Sequence, residues 1–495
     1  MIEIIIISVA LFLSVFCSYN TESNELVWWD THIPSLTMIA LSLSYLFKLH
    51  SLCYQKKQVF KSLMFVVAVI GILSIVFASK VNSSIYAMYV TLSVPAITYF
   101  FDTNNNYIKI IVITALFLCA SAVINVSSRT GILSITISLL YIIYKVFKSR
   151  INNILLLGLL SINILISILL FAKKDSTEGR CFILNNTIEM ILDKPLGWGT
   201  EGFEANYMLY QADYFAKNKD EKAEMLASNI KHPLNEYLYI TVNYGVPVLL
   251  FILFTIYILL KYLYKEKSKE SRCIIHFIVL FLLWCLFSYP CSISFVLIMI
   301  LAFISYTLKI EQLLNRSKLL RCISIFLIFI YAGTEVSAFN DERKWDKAIH
   351  NYQQGNMEAA MAVFDNFANY SIDKGSMLYS LATIEYNNKN YAKCIEICNE
   401  CNNYSANYNI EFILANCYYF MGEYKRALEH LVTAHNMCPN RFVPLYKQFM
   451  IYNDICDTVN LKNTGNIIIS KKIKIPSRKI DIMKNNVKYI LMKTK

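Results

Sequence analysis

The chain of 495 residues is 56% hydrophobic and only 17% charged, against roughly 45–50% and 25% in an ordinary soluble domain. Gly and Pro number only 13 and 9, which excludes collagen-like and low-complexity chains, and the apolar excess argues against a purely soluble enzyme. The net charge of +12 does not point to nucleic acid, because residues 461–495 hold ten Lys or Arg against one acid, Asp481, a net of +9, and much of the remainder lies in short loops between apolar runs.

Taken in chain order, apolar runs at 2–19, 33–49, 59–78, 83–101, 107–126, 130–147, 151–172, 236–260, 272–288, 290–308 and 319–336 predict about eleven transmembrane helices, each near the ~20 residues that cross a bilayer. The first has no Lys or Arg before it and no small-residue cleavage pattern, so it reads as a retained span. Basic residues collect in alternate loops, around Lys56 and Lys57, Lys148 and Arg150, Lys265 and Lys267, and Arg316 and Lys318. The intervening loops 20–32, 79–82 and 287–291 contain only Lys80. The positive-inside bias then puts the N-terminus in the cytoplasm. The long loop 173–235, and everything after about 337, lie outside.

From Trp345 the composition turns polar and a period near 34 residues appears. Met357, Tyr391 and Tyr424 are equivalent anchors, Gly355 and Gly422 each precede one by two residues, and Ala360 and Ala427 each follow one by three. This resembles the tetratricopeptide repeat, about three units over 345–456. Stacked helix pairs of this kind offer a concave surface, here a docking site for a protein or glycan partner or, on the other reading, a structural spacer. Cys394, Cys398 and Cys401 share a helix face with Cys417 nearby, and their repeat positions favour core packing over a metal site. The basic tail 457–495 alternates Ile and Lys at 469–477, as a short strand, a membrane-surface segment or a solvated tail would. The expected fold is thus all-α: a polytopic membrane helix bundle over 1–336 with an external loop at 173–235, then a tetratricopeptide-type α-solenoid.

Candidate chemistry sits in that loop and the adjoining span ends. Arg129 lies in Ser127-Ser128-Arg129-Thr130-Gly131 between two apolar runs. Arg180 opens the loop before an amphipathic helix, Cys181 to Leu192. The turn Asp193-Lys194-Pro195-Leu196-Gly197-Trp198-Gly199 follows, and Lys231-His232-Pro233-Leu234-Asn235-Glu236 leads into the next span. Two guanidiniums and an imidazole at one membrane–water interface suit transfer from a lipid-linked diphosphate. Arg matches phosphate oxygens with a planar fork of donors, stabilisation of the leaving group drives the displacement, and a His near neutral pKa accepts a hydroxyl proton. No acidic pair or His/Asp cluster marks a divalent-ion site, so no metal and no other cofactor is expected. The alternatives are a backbone-bonded helix-start residue for His232, an interfacial anchor for Arg129, a plain loop charge for Arg180 and an interfacial anchor instead of a sugar platform for Trp198.

The order S-R-T-G, then R-x10-L-D-K-P-L-G-W-G-x3-F, then H-P-L-N-E-Y-L and Tyr244-Gly245-Val246 resembles the O-antigen ligase/polymerase superfamily over about 30–335, with the repeat extension carried by a subset of that superfamily. The resemblance implies a bacterial inner-membrane, inverting glycosyltransferase taking glycan from an undecaprenyl-diphosphate donor, on the periplasmic side, to lipid A–core, a growing polymer or a protein hydroxyl. It implies Arg129 and Arg180 as diphosphate binders and His232 as the base, with Asn235, Glu236 and Trp198 as further substrate-binding candidates. The family often has a His directly before the motif's Asn, where this chain has Leu234; Glu236 is then the nearest alternative base. The rivals from other classes are a polytopic transporter or flippase, for which His276 is the clearest intramembrane ionisable residue, and a non-catalytic membrane scaffold.

Overall fold

A computed structural model describes residues 6, 9–10, 34–40, 56–75, 82–147, 174–307, 318–364 and 374–493. Among them the regular elements are all helical. In chain order they are α1 (Lys56–Ser74), α2 (Ser83–Tyr99), α3 (Asn106–Asn125), α4 (Arg129–Phe147), α5 (Lys174–Asp193), α6 (Gly202–Lys217), α7 (Glu221–Leu226), α8 (Glu236–Tyr244), α9 (Val246–Glu266), α10 (Lys269–Phe287) and α11 (Ser294–Thr307). Then come α12 (Lys318–Gln353), α13 (Met357–Phe364), α14 (Lys374–Asn387), α15 (Tyr391–Cys401), α16 (Tyr408–Phe420), α17 (Tyr424–Met437), α18 (Val443–Asp454), α19 (Thr458–Ser470) and α20 (Arg478–Lys493). The chain forms two compact units, one holding 1–172, 234–236 and 252–371, the other 173–233, 237–251 and 372–495.

The first unit is a helix bundle centred on α2. That helix has no Asp, Glu, Lys, Arg or His and is buried from Tyr86 to Tyr99, as expected for a helix that is apolar all round. It is flanked by α1, α3, α4 and α10. Small residues allow the close crossings: a Cβ on Gly71 would stand 1.9 Å from Ser93 Oγ, and one on Gly131 would stand 2.6 Å from Val123 Cγ1. Polar side chains stitch the helices as they do in membrane bundles. His276 of α10 has Nε2 3.0 Å from Ser138 Oγ on α4 and Nδ1 3.3 Å from Thr98 Oγ1 on α2, and Trp284 Nε1 donates to Thr91 Oγ1. His276 thus sits in an interhelical clamp.

Three helices, Asn106–Asn125, Val246–Glu266 and Lys269–Phe287, are long and apolar enough to cross a membrane, and Phe60–Ser74 and Ser294–Ile304 are shorter apolar helices. The expected runs 2–19, 33–49 and 151–172 lie wholly or mostly outside the described residues. The outer faces of α3 and α9 expose Phe117, Ile111, Phe251 and Phe254, each more than half open, a larger apolar surface than a soluble protein leaves in water. The protein is a membrane protein. One expected span is corrected: 236–260 is not continuous but breaks at Gly245 (φ +91) into α8 and α9. The last expected span, 319–336, is the first half of the 36-residue α12, about 54 Å long at 1.5 Å per residue.

In the second unit, α14 to α20 stack in sequence as antiparallel neighbours. Ala382, Cys394, Cys398, Cys401, Ala427, Leu431 and Ala434 are buried at the crossings, with Cys394 Sγ donating to the Ala382 carbonyl and Cys401 Sγ to that of Gly375. The repeat is written most clearly in its turns, over residues 355–457. Gly355, Lys389, Gly422 and Cys456 all have positive φ (+85, +63, +80 and +58). Each turn carries the same pair of bonds: Gly355 N–H to Tyr352 O and Asn356 N–H to Asn351 O in the first, Cys456 N–H to Asn453 O and Asp457 N–H to Tyr452 O in the last. This is a Schellman C-cap. The fourth turn makes α18 and α19 a further repeat. The basic segment is therefore helical, with α19 and α20 burying Leu461, Ile468 and Val487 against Phe442, Leu445 and Phe449, and no strand forms at 469–477.

Candidate active site

The loop 173–235 is a folded element. Pro195 ends α5, since the residue before proline is pushed from helical geometry. The turn after it runs to α6 through Gly197 (φ +94) and Gly199 (φ +97). Its backbone completes the end of α8. The last carbonyls of a helix lack partners within it, and those of α8 are taken by Trp198 N–H on Val242 O (2.7 Å) and Gly199 N–H on Asn243 O (2.9 Å). In return, Val246 N–H donates to Pro195 O at 2.9 Å and Asn243 Oδ1 accepts from Phe203 N–H at 2.9 Å. The two segments of this junction touch backbone to backbone. A Cβ on Gly197 would lie 2.7 Å from Asn243 O, and one on Gly245 would lie 2.6 Å from Leu196 C. The helix break at Gly245 is thus the socket for the Leu-Gly-Trp-Gly turn. Sequence reasoning missed Asn243 and this pairing; the paired signals were the glycines of Gly-Trp-Gly and Tyr-Gly-Val.

Trp198 is half-buried, donates its indole N–H to Met190 O at 2.9 Å and carries Lys194 Nζ 5.1 Å from its ring centroid. Beside it, Tyr210 donates to Asp193 Oδ2, and burial together with that carboxylate pushes the phenol pKa up. His232 is half-buried and stacks on Tyr239 of α8, with centroids 4.5 Å apart. Tyr239 in turn meets Phe203 at 6.3 Å, and Phe203 stacks on Tyr207 at 4.8 Å. His232 and Trp198 are therefore both brought to α8. Leu234, where the family motif often has His, is held at φ +56, a conformation costing about 1–2 kcal/mol for a residue with a side chain. Arg180 is exposed and belongs to the interior of α5, which begins at Lys174 and not after Arg180 as expected.

Arg129, Asn235 and Glu236 belong to the membrane bundle. Arg129 is half-buried and opens α4, whose first turn is capped by Ser128 Oγ accepting from Gly131 N–H at 3.3 Å. Asn235 Nδ2 donates to Leu286 O at 3.1 Å, and buried Glu236 accepts from Cys291 N–H at 2.8 Å. These two anchor the start of α8 to the α10–α11 connection. Among the described residues no group of three His, Cys, Asp or Glu is placed to hold a metal ion.

Bundle, docked loop and helical array define a polytopic membrane protein with a tetratricopeptide-type extension. Residues 114–253 match the O-antigen ligase family, and residues 353–434 match the family described as anaphase-promoting complex, cyclosome, subunit 3, a repeat of tetratricopeptide type. The first match contains every candidate site residue and points to an enzyme of ligase or polymerase type acting on a membrane-associated glycan. No curated protein and no solved structure matches the chain.

Proposed function

We propose that this chain is a bacterial inner-membrane glycan transferase of the O-antigen ligase type, which moves a glycan from a polyprenyl-diphosphate carrier to an acceptor hydroxyl on the periplasmic side. The carrying observation is Arg129 at the first position of α4. A cation there opposes the helix dipole, and the arrangement becomes favourable when an anion meets the guanidinium at this helix N-terminus. A diphosphate at headgroup depth is such an anion. Arg180 supplies a second guanidinium from the loop.

In this reading the acceptor oxygen attacks the anomeric carbon as the bond to the diphosphate oxygen breaks. His232 takes the hydroxyl proton, the arginines hold the departing diphosphate, and the configuration inverts in one displacement. Stacking on Tyr239 fixes the plane of the imidazole. Arg129→Ala and Arg180→Ala are each expected to lower glycan transfer in purified membranes by about 10²-fold or more; transfer intact in both variants refutes the mechanism. The glycan pattern of a deletion strain identifies the acceptor class. Full-length polymer retained on the carrier marks a ligase, a single repeat unit on the acceptor marks a polymerase, and lost glycoprotein bands with unchanged surface polysaccharide mark protein glycosylation.

A further inference from the structure

Gln211 of α6 is fully buried, although Gln side chains are mostly exposed. Its Nε2 donates to Ser228 O at 3.1 Å and to Met437 O at 2.5 Å, and its Oε1 accepts from Tyr207 OH at 3.2 Å. Ser228 lies in the non-helical segment 227–233 that carries His232, while Met437 ends α17 of the repeat array. Further bonds run the same way. Asn440 Nδ2 donates to the carbonyls of Glu224 (3.3 Å) and Ala227, Ala406 N–H donates to Glu204 O at 3.1 Å, and Lys472 pairs with Glu221 at 2.6 Å. Helix α6 packs along α17. At this place the array's surface is occupied by the chain's own loop.

Segment 227–233 has no regular structure and depends on borrowed bonds: Gln211 on Ser228, Asn440 on Ala227, and Met208 Sδ on Ile230 N–H at 3.5 Å. From Gln211 the packing continues through Tyr207, Phe203 and Tyr239 to His232. We infer that the repeat array is a positioning device whose partner at α17 is this loop, and that Gln211 is the positioning residue that fixes the His232 segment against it. The inference rests on the reading of His232 as the base. The chemistry of the junction supports it: removing the buried amide takes a partner from the Ser228 and Met437 carbonyls and from the Tyr207 phenol, and at the buried Met437 end the loss is felt in full.

The test uses full-length protein in lipid nanodiscs, with Gln211→Met, which keeps the length of the side chain and removes its donors. Amide hydrogen exchange at 227–233 is expected to quicken about tenfold while 374–401, elsewhere in the array, keeps its protection. Transfer per folded molecule is expected to fall about tenfold in kcat with the donor KM unchanged. Asn440→Ala should loosen the same segment, and it is read alone if Gln211→Met also loosens 374–401. Unchanged exchange at 227–233 overturns the inference, as does faster exchange with wild-type kcat. If instead the Arg129 and Arg180 variants retain transfer, the transfer reading falls, and the exchange result still decides whether the array holds the loop.

Discussion

Two glycines in one turn separate a backbone cost from a packing cost. Gly197 and Gly199 have nearly the same φ, +94 and +97, so an alanine at either pays for a left-handed conformation, about 1–2 kcal/mol. Their surroundings differ. The new methyl at 197 would lie 2.7 Å from three backbone atoms of Asn243, Tyr244 and Gly245, which cannot swing aside, whereas nothing lies within 4 Å at 199. Overpacking of that kind adds about 1–3 kcal/mol. Gly199→Ala is therefore expected to cost about 1–2 kcal/mol and Gly197→Ala about 2–5 kcal/mol. Limited proteolysis of the full-length protein in detergent, scored at the turn, gives the local opening equilibrium of each variant. Equal susceptibility of the two variants would refute the close-approach account of the Gly-Trp-Gly motif.

The repeat turns give a prediction of opposite sign. Lys389→Gly and Cys456→Gly, which relieve positive φ in residues with side chains, should each stabilise the array by about 0.5–1 kcal/mol. Gly422→Ala, with no atom within 4 Å of its Cβ, should cost about 1 kcal/mol; thermal melts that fail to order the three variants this way contradict the C-cap assignment. Burial, aided by nearby Lys471, lowers the His435 pKa to about 3, against about 6.5 in an unfolded chain. Between those values only the unfolded state takes the proton, so this contribution to stability is intact above about pH 6.5 and is lost as the pH falls toward 3. The melting temperature should drop from pH 7 to pH 5, and His435→Gln should flatten that slope; an unaltered slope in the variant rejects the assignment.

Patterns with a local cause were legible in the chain. The repeat was visible at Met357, Tyr391 and Tyr424, the second although its turn uses Lys389 where the flanking turns use Gly355 and Gly422, and the reading stops short of the fourth turn, which uses Cys456 in the same backbone role. In the last segment dense Lys masks the apolar set Ile480, Met483, Val487 and Ile490, whose helical spacing marks the inward face of α20. The break in the expected span at 236–260 was hidden for a different reason. Its carbonyls find partners in a turn distant in sequence, and hydropathy registers only that the run is apolar. Among the site residues, the loop positions and their order were readable. The setting of His232 was not, because Tyr239, Phe203 and Gln211 carry no motif and acquire meaning only through tertiary packing.

Helix α12 has a mechanical corollary. Its apolar half, with Phe326 and Phe329 open on the surface, continues without interruption into the polar half that packs α13 through Trp345 and Phe364. On the reading that this apolar half crosses the membrane, a bilayer core takes about 30 Å of the rod and leaves roughly 24 Å of its length beyond it. The opening repeat would then ride on a stiff mast: a thicker or thinner membrane, or a change in the helix's tilt, would raise, lower or swing it by a matching amount, with no hinge within α12 to absorb the displacement.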